Sequence, residues 1–316
     1  MLWRHAFGSL TFDAAAAPAT DDTIFDLASL TKVISTTPLV MQQVERGVLA
    51  LDDPVFGHIA EWTGSDRAAV TLRDLLAHCS GLPAWRPFFR ELKGRTAFEP
   101  AIAAEPLEYA PRSRSVYSDL DFMLLGFIVD GRLPLAERFA LMLSQMGIVE
   151  EIQFTPPSLW RARIAPTEED PWRGRLLVGD VHDENAAALG GIAGHAGLFG
   201  TAASVGSYAR HLLQILDGKV GVFRRATVET FVTRRTDVPG SSRALGWDTM
   251  LPTSSCGTLM SARAFGHTGF TGTSLWIDPE KDVYVVLLTN RLHPTRANEA
   301  IKQVRRAVHD AVMGEL

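Results

Sequence analysis

Phe25-Asp26-Leu27-Ala28-Ser29-Leu30-Thr31-Lys32 sets a serine and a lysine three residues apart where a helix begins. On a helix, positions i and i+3 share a face, so the Lys32 amine reaches the Ser29 oxygen while the helix N-terminus stabilises negative charge developing beside it. A serine hydroxyl is a poor nucleophile without such a partner. The other reading is a helix N-cap at Ser29 followed by a solvated first-turn lysine. With 18 serines and 5 lysines in 316 residues, roughly 0.3 Ser-x-x-Lys matches arise by chance. The rest of the chain has to decide between the two.

Composition narrows the classes. A 46% hydrophobic chain of 316 residues supplies an ample core for one large domain or two interleaved lobes. The net charge is -5, lysines are scarce and arginines dispersed, so no basic stripe tracks a phosphate backbone and nucleic acid is not an expected partner. Cys79 and Cys256 have neither disulfide-framework nor zinc-ligand spacing, and no metal site or cofactor is indicated. No run of 18 or more apolar residues marks a membrane segment, and Met1 to Phe7 lacks the basic head and apolar middle of a secretory signal. Cytoplasmic location follows as the expectation.

Around the opening stretch, Trp3 to Phe12 alternates as a strand does, and Asp13 to Asp22 reads as a flexible tract. Leu30 to Arg46 is apolar nearly all round, which predicts a buried helix. Pro38 inside it should cost a hydrogen bond and bend it, and Gly47 ends it. Leu120 to Val129, Leu133 to Met146, Ser204 to Leu216 and Phe223 to Arg235 read as helices. Thr271 to Asp278 and Val283 to Thr289 form a hairpin, and a helix over Thr295 to Met313 closes the chain.

Two further segments join Ser29 and Lys32: Tyr117-Ser118-Asp119 ahead of the Leu120 helix, and His267-Thr268-Gly269, placed at the opening of the hairpin's first strand. In this order the three motifs resemble those of class C serine β-lactamases and the related penicillin-binding proteins and esterases. The likeness extends to Leu75-Leu76-Ala77-His78-Cys79-Ser80-Gly81-Leu82, to Asp52-Asp53-Pro54-Val55, and to the glycine-rich run Gly190 to Gly200. It implies an α+β fold, an antiparallel sheet flanked by helices with a mostly helical lobe inserted. Residues 1–60 and 186–316 would form the sheet lobe, and 61–185 the inserted lobe carrying Tyr117. It further implies that Ser29 attacks an acyl carbon, Lys32 takes its proton, and Tyr117 shuttles it to the leaving group. The backbone N–H groups of Ser29 and Phe270 would form the oxyanion hole, with Asp119, His267, Thr268 and Gly269 meeting substrate. The substrate would be a small-molecule or peptidoglycan-like acyl donor, with no metal and no cofactor.

The departures from the family pattern carry information. Its third motif commonly begins with lysine, which meets a substrate carboxylate; His267, with an ordinary pKa of about 6.5, is mostly neutral at pH 7. Asp119 replaces an asparagine and cannot donate to a substrate amide, but it can pair with Lys32 and hold it charged. Both changes favour an esterase or D-amino-acid peptidase over efficient β-lactam hydrolysis. A β-lactamase, a sensor that stays acylated and a non-catalytic binder are the alternatives, while the absence of G-x-S-x-G and H-E-x-x-H patterns leaves an α/β-hydrolase or zincin reading unsupported. Family members usually carry a helix and strand ahead of Trp3, so the start reads as truncated, and a periplasmic origin stays open. His182, Asp183 and His195 are expected to brace the loop beside the pocket; Trp85, Trp160 and Trp172 are candidates for core packing or a cleft; Cys79 is expected to be buried.

Overall fold

The computed structural model describes residues 3–316. Its strands are β1 Phe25–Asp26, β2 Ile152–Phe154, β3 Glu169–Asp170, β4 Arg175–Leu176, β5 Leu198–Gly200, β6 Asp248–Thr249, β7 Phe265–Thr268, β8 Ser274–Asp278 and β9 Val283–Leu287. The α-helices are α1 Thr37–Glu45, α2 Leu72–Leu76, α3 Arg95–Ala104, α4 Asp119–Val129, α5 Leu135–Met146, α6 Glu184–Ala188, α7 Ala202–Leu216, α8 Arg225–Val232 and α9 Ile301–Gly314. The fold is α+β: β6-β7-β8-β9 is an antiparallel sheet, β1-β5-β2 a second one, and helices surround both.

The sheet is built where β-branched and aromatic residues concentrate. Every residue of β8 is buried, because α7 and α9 cover the sheet. α7 turns Val205, Tyr208, Ala209, Leu212 and Leu213 inward at helical spacing. Ile152–Phe154 and Leu198–Gly200, either side of residue 185, share one sheet with the strand that leads to Ser29. No helix among the described residues is long and apolar enough to cross a membrane.

The segment after Ser29 is two helical pieces in one. Lys32–Thr36 is a π-turn, with the Thr37 N–H reaching back to the Lys32 carbonyl, and α1 continues from it. Pro38 lies in the first turn of α1, where a missing N–H is tolerated. In the π pattern Val33 O would need the N–H of residue 38, which proline lacks; the Tyr208 hydroxyl of α7 supplies the donor at 2.7 Å. The expected lost hydrogen bond is therefore replaced from another helix.

Several expectations shift. Trp3 to Phe12 is not a strand: only Ser9 bridges to Pro18, and Trp3, Phe7 and Phe12 are 66%, 73% and 83% exposed. The following tract folds back instead, with Leu10 N–H donating to Ala17 O and Ala19 N–H to Gly8 O, so no neighbouring strand is recruited. His267-Thr268-Gly269 closes β7 rather than opening the hairpin, because the Gly269 N–H donates to Thr273 O at 2.7 Å and turns the chain before β8. The glycine-rich run is extended only at Leu198–Gly200, and the last helix begins at Ile301 rather than Thr295. The Phe223 helix is shorter, Arg225–Val232.

Candidate active site

β1 delivers Asp26, and the Asp26 carboxylate accepts the N–H of Ala28 at 2.8 Å and that of His182 at 2.7 Å. Burial pushes this carboxyl above the usual range against those two bonds. Ala28 follows at φ +46, a left-handed conformation unfavourable for a residue with a Cβ. The chain turns sharply there, and Ser29 sits half-buried at the mouth of the helix.

Lys32 is fully buried and its three protons are placed: Nζ donates to Ser29 Oγ at 3.0 Å, Asp119 Oδ1 at 2.7 Å and His195 O at 3.0 Å. Burial pulls the ammonium down, but the Asp119 carboxylate and the Tyr117 phenol outweigh it and hold Lys32 above the ordinary lysine value. The expected Ser29–Lys32 contact and the Asp119–Lys32 pair are both present. Ser118, not Asp119, caps α4: its hydroxyl accepts the Asp121 N–H at 3.4 Å and donates to Pro83 O at 2.7 Å.

Tyr117 packs beneath the cation, with Lys32 Nζ 4.9 Å from its ring centroid. The Leu75–Leu82 segment positions it: His78 Nδ1 accepts the Ser118 N–H at 3.1 Å and its ring lies 4.7 Å from that of Tyr117. Burial raises the Tyr117 hydroxyl, and nearby Lys32 opposes that in part. The hydroxyl makes no geometrically sound hydrogen bond, although Lys32 and Ser29 lie close enough to bias its ionisation. It is a buried O–H with unused capacity beside the serine.

His267 donates from Nδ1 to Thr268 O at 2.8 Å, the only polarity a carbonyl allows, which leaves Nε2 a buried acceptor without a partner. Burial, then the Arg243 and Lys32 charges, drive its pKa well below the ordinary histidine value. It is neutral. Arg243, which the motif spacings did not reveal, lies in the loop between α8 and β6 with its guanidinium 5.2 Å from the Tyr117 ring centroid. No carboxylate pairs with it among the described residues.

The amides of Ser29 and Phe270 have no acceptor among the described residues. The turn bearing Phe270 is latched to the Ser29 loop: Thr271 Oγ1 donates to Asp26 O at 2.7 Å and Thr273 Oγ1 to Leu27 O at 3.1 Å. Gly269 must be glycine, since a Cβ would stand 2.6 Å from Leu27 O. Unpartnered backbone N–H groups on two turns latched to each other are of the kind that can stabilise an oxyanion.

Around this centre, His195 Nε2 meets Asp183 Oδ1 at 2.8 Å, and the same oxygen caps α6 through the Ala186 N–H. Burial opposes ionisation of Asp183, but His195 holds the carboxyl below its ordinary value. His182 Nε2 meets Glu168 Oε2 at 2.8 Å, and Glu168, buried yet bonded to His182 and Arg296, is lowered to about 2. These pairs stiffen the loop that offers His195 O to Lys32. Trp160 packs in a buried cluster with Ile24 and Ile164, whereas Trp85 and Trp172 flank Phe89 at the surface. Cys79 is buried, and burial pushes its thiol far up, which makes it unreactive.

The profile of the Beta-lactamase family matches residues 2–309. "Putative D-alanyl-D-alanine carboxypeptidase" of Escherichia coli (strain K12) is 33% identical over 93% of this chain and 76% of its own. Among solved structures, a class C beta lactamase from Rhodobacter sphaeroides superposes with a TM-score of 0.74 at 20% identity, covering 98% of this chain and 90% of its own. An octameric penicillin-binding protein homologue from Pyrococcus abyssi gives a TM-score of 0.74 at 21% identity, over 99% of this chain and 71% of its own. The chain belongs to the Beta-lactamase family and is a serine hydrolase of that superfamily.

Proposed function

We propose that the chain is a D-amino-acid carboxypeptidase that forms an acyl-enzyme on Ser29, its substrate a peptidoglycan-like acyl peptide ending in a free carboxylate. The observation that carries this reading is Arg243, a permanent cation without a carboxylate partner, set over the Tyr117 ring. It supplies the charge that neutral His267 does not. The name of the Escherichia coli relative points to the same substrate class. In this scheme the inserted lobe falls within residues 61–185, apart from β2, which joins the sheet of β1 and β5, and it brings Tyr117 and Asp119 to the serine.

Lys32 rests as an ammonium, so attack proceeds from the fraction in which it has released a proton. Neutral Nζ then takes the Ser29 Oγ proton as Oγ bonds to the acyl carbon. The carbonyl oxygen becomes an oxyanion between the Ser29 and Phe270 amides. As the C–N bond breaks, Tyr117 gives its proton to the leaving amine and recovers one from Lys32. Water then cleaves the acyl-enzyme along the same path in reverse.

An esterase is the second reading, favoured by His267, whose unprotonated ring is a poor carboxylate anchor. Turnover should be compared on an acyl-D-Ala-D-Ala peptide, its C-terminal carboxamide, a p-nitrophenyl ester and a chromogenic cephalosporin, with Ser29→Ala as control. Preference for the free carboxylate, collapsing by about tenfold or more in Arg243→Gln, is the expected result. Turnover of the ester alone would select the esterase, and cephalosporin turnover alone the β-lactamase. Activity unchanged in Ser29→Ala would remove the nucleophile.

A further inference from the structure

Arg305 projects from α9 into the sheet and is only 8% exposed. Its guanidinium donates to Gly269 O at 2.6 Å and to Thr273 O at 2.9 Å, and no carboxylate among the described residues pairs with it. Its Nε is buried without an acceptor. Burial, and the nearby Arg291 charge, pull the guanidinium down to about 10. A buried cation without a counter-ion is costly, and packing alone would be served as well by an apolar side chain.

The placement of its acceptors gives the charge a use. Gly269 C=O and Phe270 N–H are the two ends of one peptide group, conjugated through the C–N bond. A charged donor on the oxygen draws electron density toward it and leaves the N–H a stronger donor, as in any hydrogen-bonded chain that polarises along its length. Thr273 O, the second acceptor, also receives the Gly269 N–H at 2.7 Å, so the guanidinium clamps both ends of the turn. From the other side, Arg291 Nε donates to Phe270 O at 2.8 Å.

We infer that Arg305 is a positioning residue of the oxyanion site: its guanidinium fixes and polarises the Gly269–Phe270 peptide so that the Phe270 N–H meets negative charge forming on a Ser29 adduct. This rests on the reading of Ser29 as nucleophile and of Phe270 N–H as oxyanion donor. Arg305 acts through a peptide and touches no substrate.

The test measures rate constants for Ser29 labelling, by intact mass, with an alkyl fluorophosphonate and with its P=S analogue. Sulfur accepts hydrogen bonds poorly, so an oxyanion site favours P=O. Arg305→Met should slow P=O labelling several-fold, less than the roughly 10²-fold lost when an oxyanion donor is removed outright, and P=S labelling far less, lowering the P=O to P=S ratio. Arg305→Lys, which keeps the charge on a single-point donor, should recover part of the ratio; should Arg305→Met fail to fold, as judged by thermal unfolding, Arg305→Lys decides by the same ratio. Equal slowing of both probes, with the ratio unchanged, would reduce Arg305 to a fold-supporting residue and overturn the inference. Failure of the underlying reading looks different: Ser29→Ala would then be labelled as fast as the unaltered chain.

Discussion

At Lys32, whose side chain is fully buried, three protons face three acceptors, and one acceptor, Asp119, carries a full charge. That carboxylate keeps the ammonium protonated against burial. Labelling of Ser29 should therefore rise with pH as Lys32 gives up its proton. Asp119→Asn removes the charge that raises the lysine and leaves burial, which lowers it, so the rise should move to lower pH. A pH–rate profile of fluorophosphonate labelling reads this directly, and one that does not move would show that the pair leaves the base unaffected. Ser29, Lys32, Tyr117, Asp119 and His267 were legible in the sequence because their chemistry sits in short, ordered spacings. Arg243 and Arg305 were not, since an isolated arginine in a loop or on a helix carries no spacing signal. His267 was expected to be weakly charged from its ordinary pKa; the operative cause is burial beside two cations.

Helix α4 shows how an element sets this geometry. It is buried on almost all sides, and its Gly126 lets the Gly194 backbone approach so closely that a Cβ on Gly126 would stand 2.7 Å from Gly194 Cα. The same loop accepts the Thr36 hydroxyl at Gly194 O, 2.6 Å, and then presents His195 O to Lys32. Gly126→Val should cost about 1–3 kcal/mol and displace the loop from Lys32, so that labelling of Ser29 falls beyond what the lost stability explains. Chemical denaturation alongside labelling rates checks this; loss of stability with labelling intact would separate the helix contact from the site. Long helices such as α4, α5 and α7 were readable from their apolar patterning. Trp3 to Phe12 was not, because an alternating pattern becomes a strand only where a neighbouring edge receives it. The π-turn escaped as well, since its stability depends on a hydroxyl from Tyr208, 175 residues away.

Of the nine histidines in the molecule, five are buried: His78, His182, His195, His267 and His309. His78 and His267 are buried with pKa values well below the ordinary 6.5, so the folded chain refuses protons that the unfolded chain accepts. Stability from this source is complete above about pH 6.5 and is lost progressively as pH falls toward the folded values. Glu168 and Asp183, lowered in the fold, add their loss only at more acidic pH. The buried Asp26 and Asp121 carboxyls are raised in the fold and act with the opposite sign, so the histidine share is read by comparison with His267→Gln: the change in urea midpoint from pH 7.5 to 5.5 should be less unfavourable in the variant, and an equal change in both would contradict the burial of this ring. At this scale the α+β class was legible, because ordered motifs along the whole chain constrain it together. The route of the N-terminal segment and the start of the last helix were not, since tertiary docking sets both. The bonds that hold the Ser29 loop reach across 87 residues to Asp119, 163 to His195 and 246 from Leu27 to Thr273. In the order of synthesis, Ser29 leaves the ribosome long before any of these partners exist. A growing chain, or one cut ahead of β8, carries Ser29 as an ordinary alcohol, and only closing the last sheet assembles the surroundings that could make it reactive.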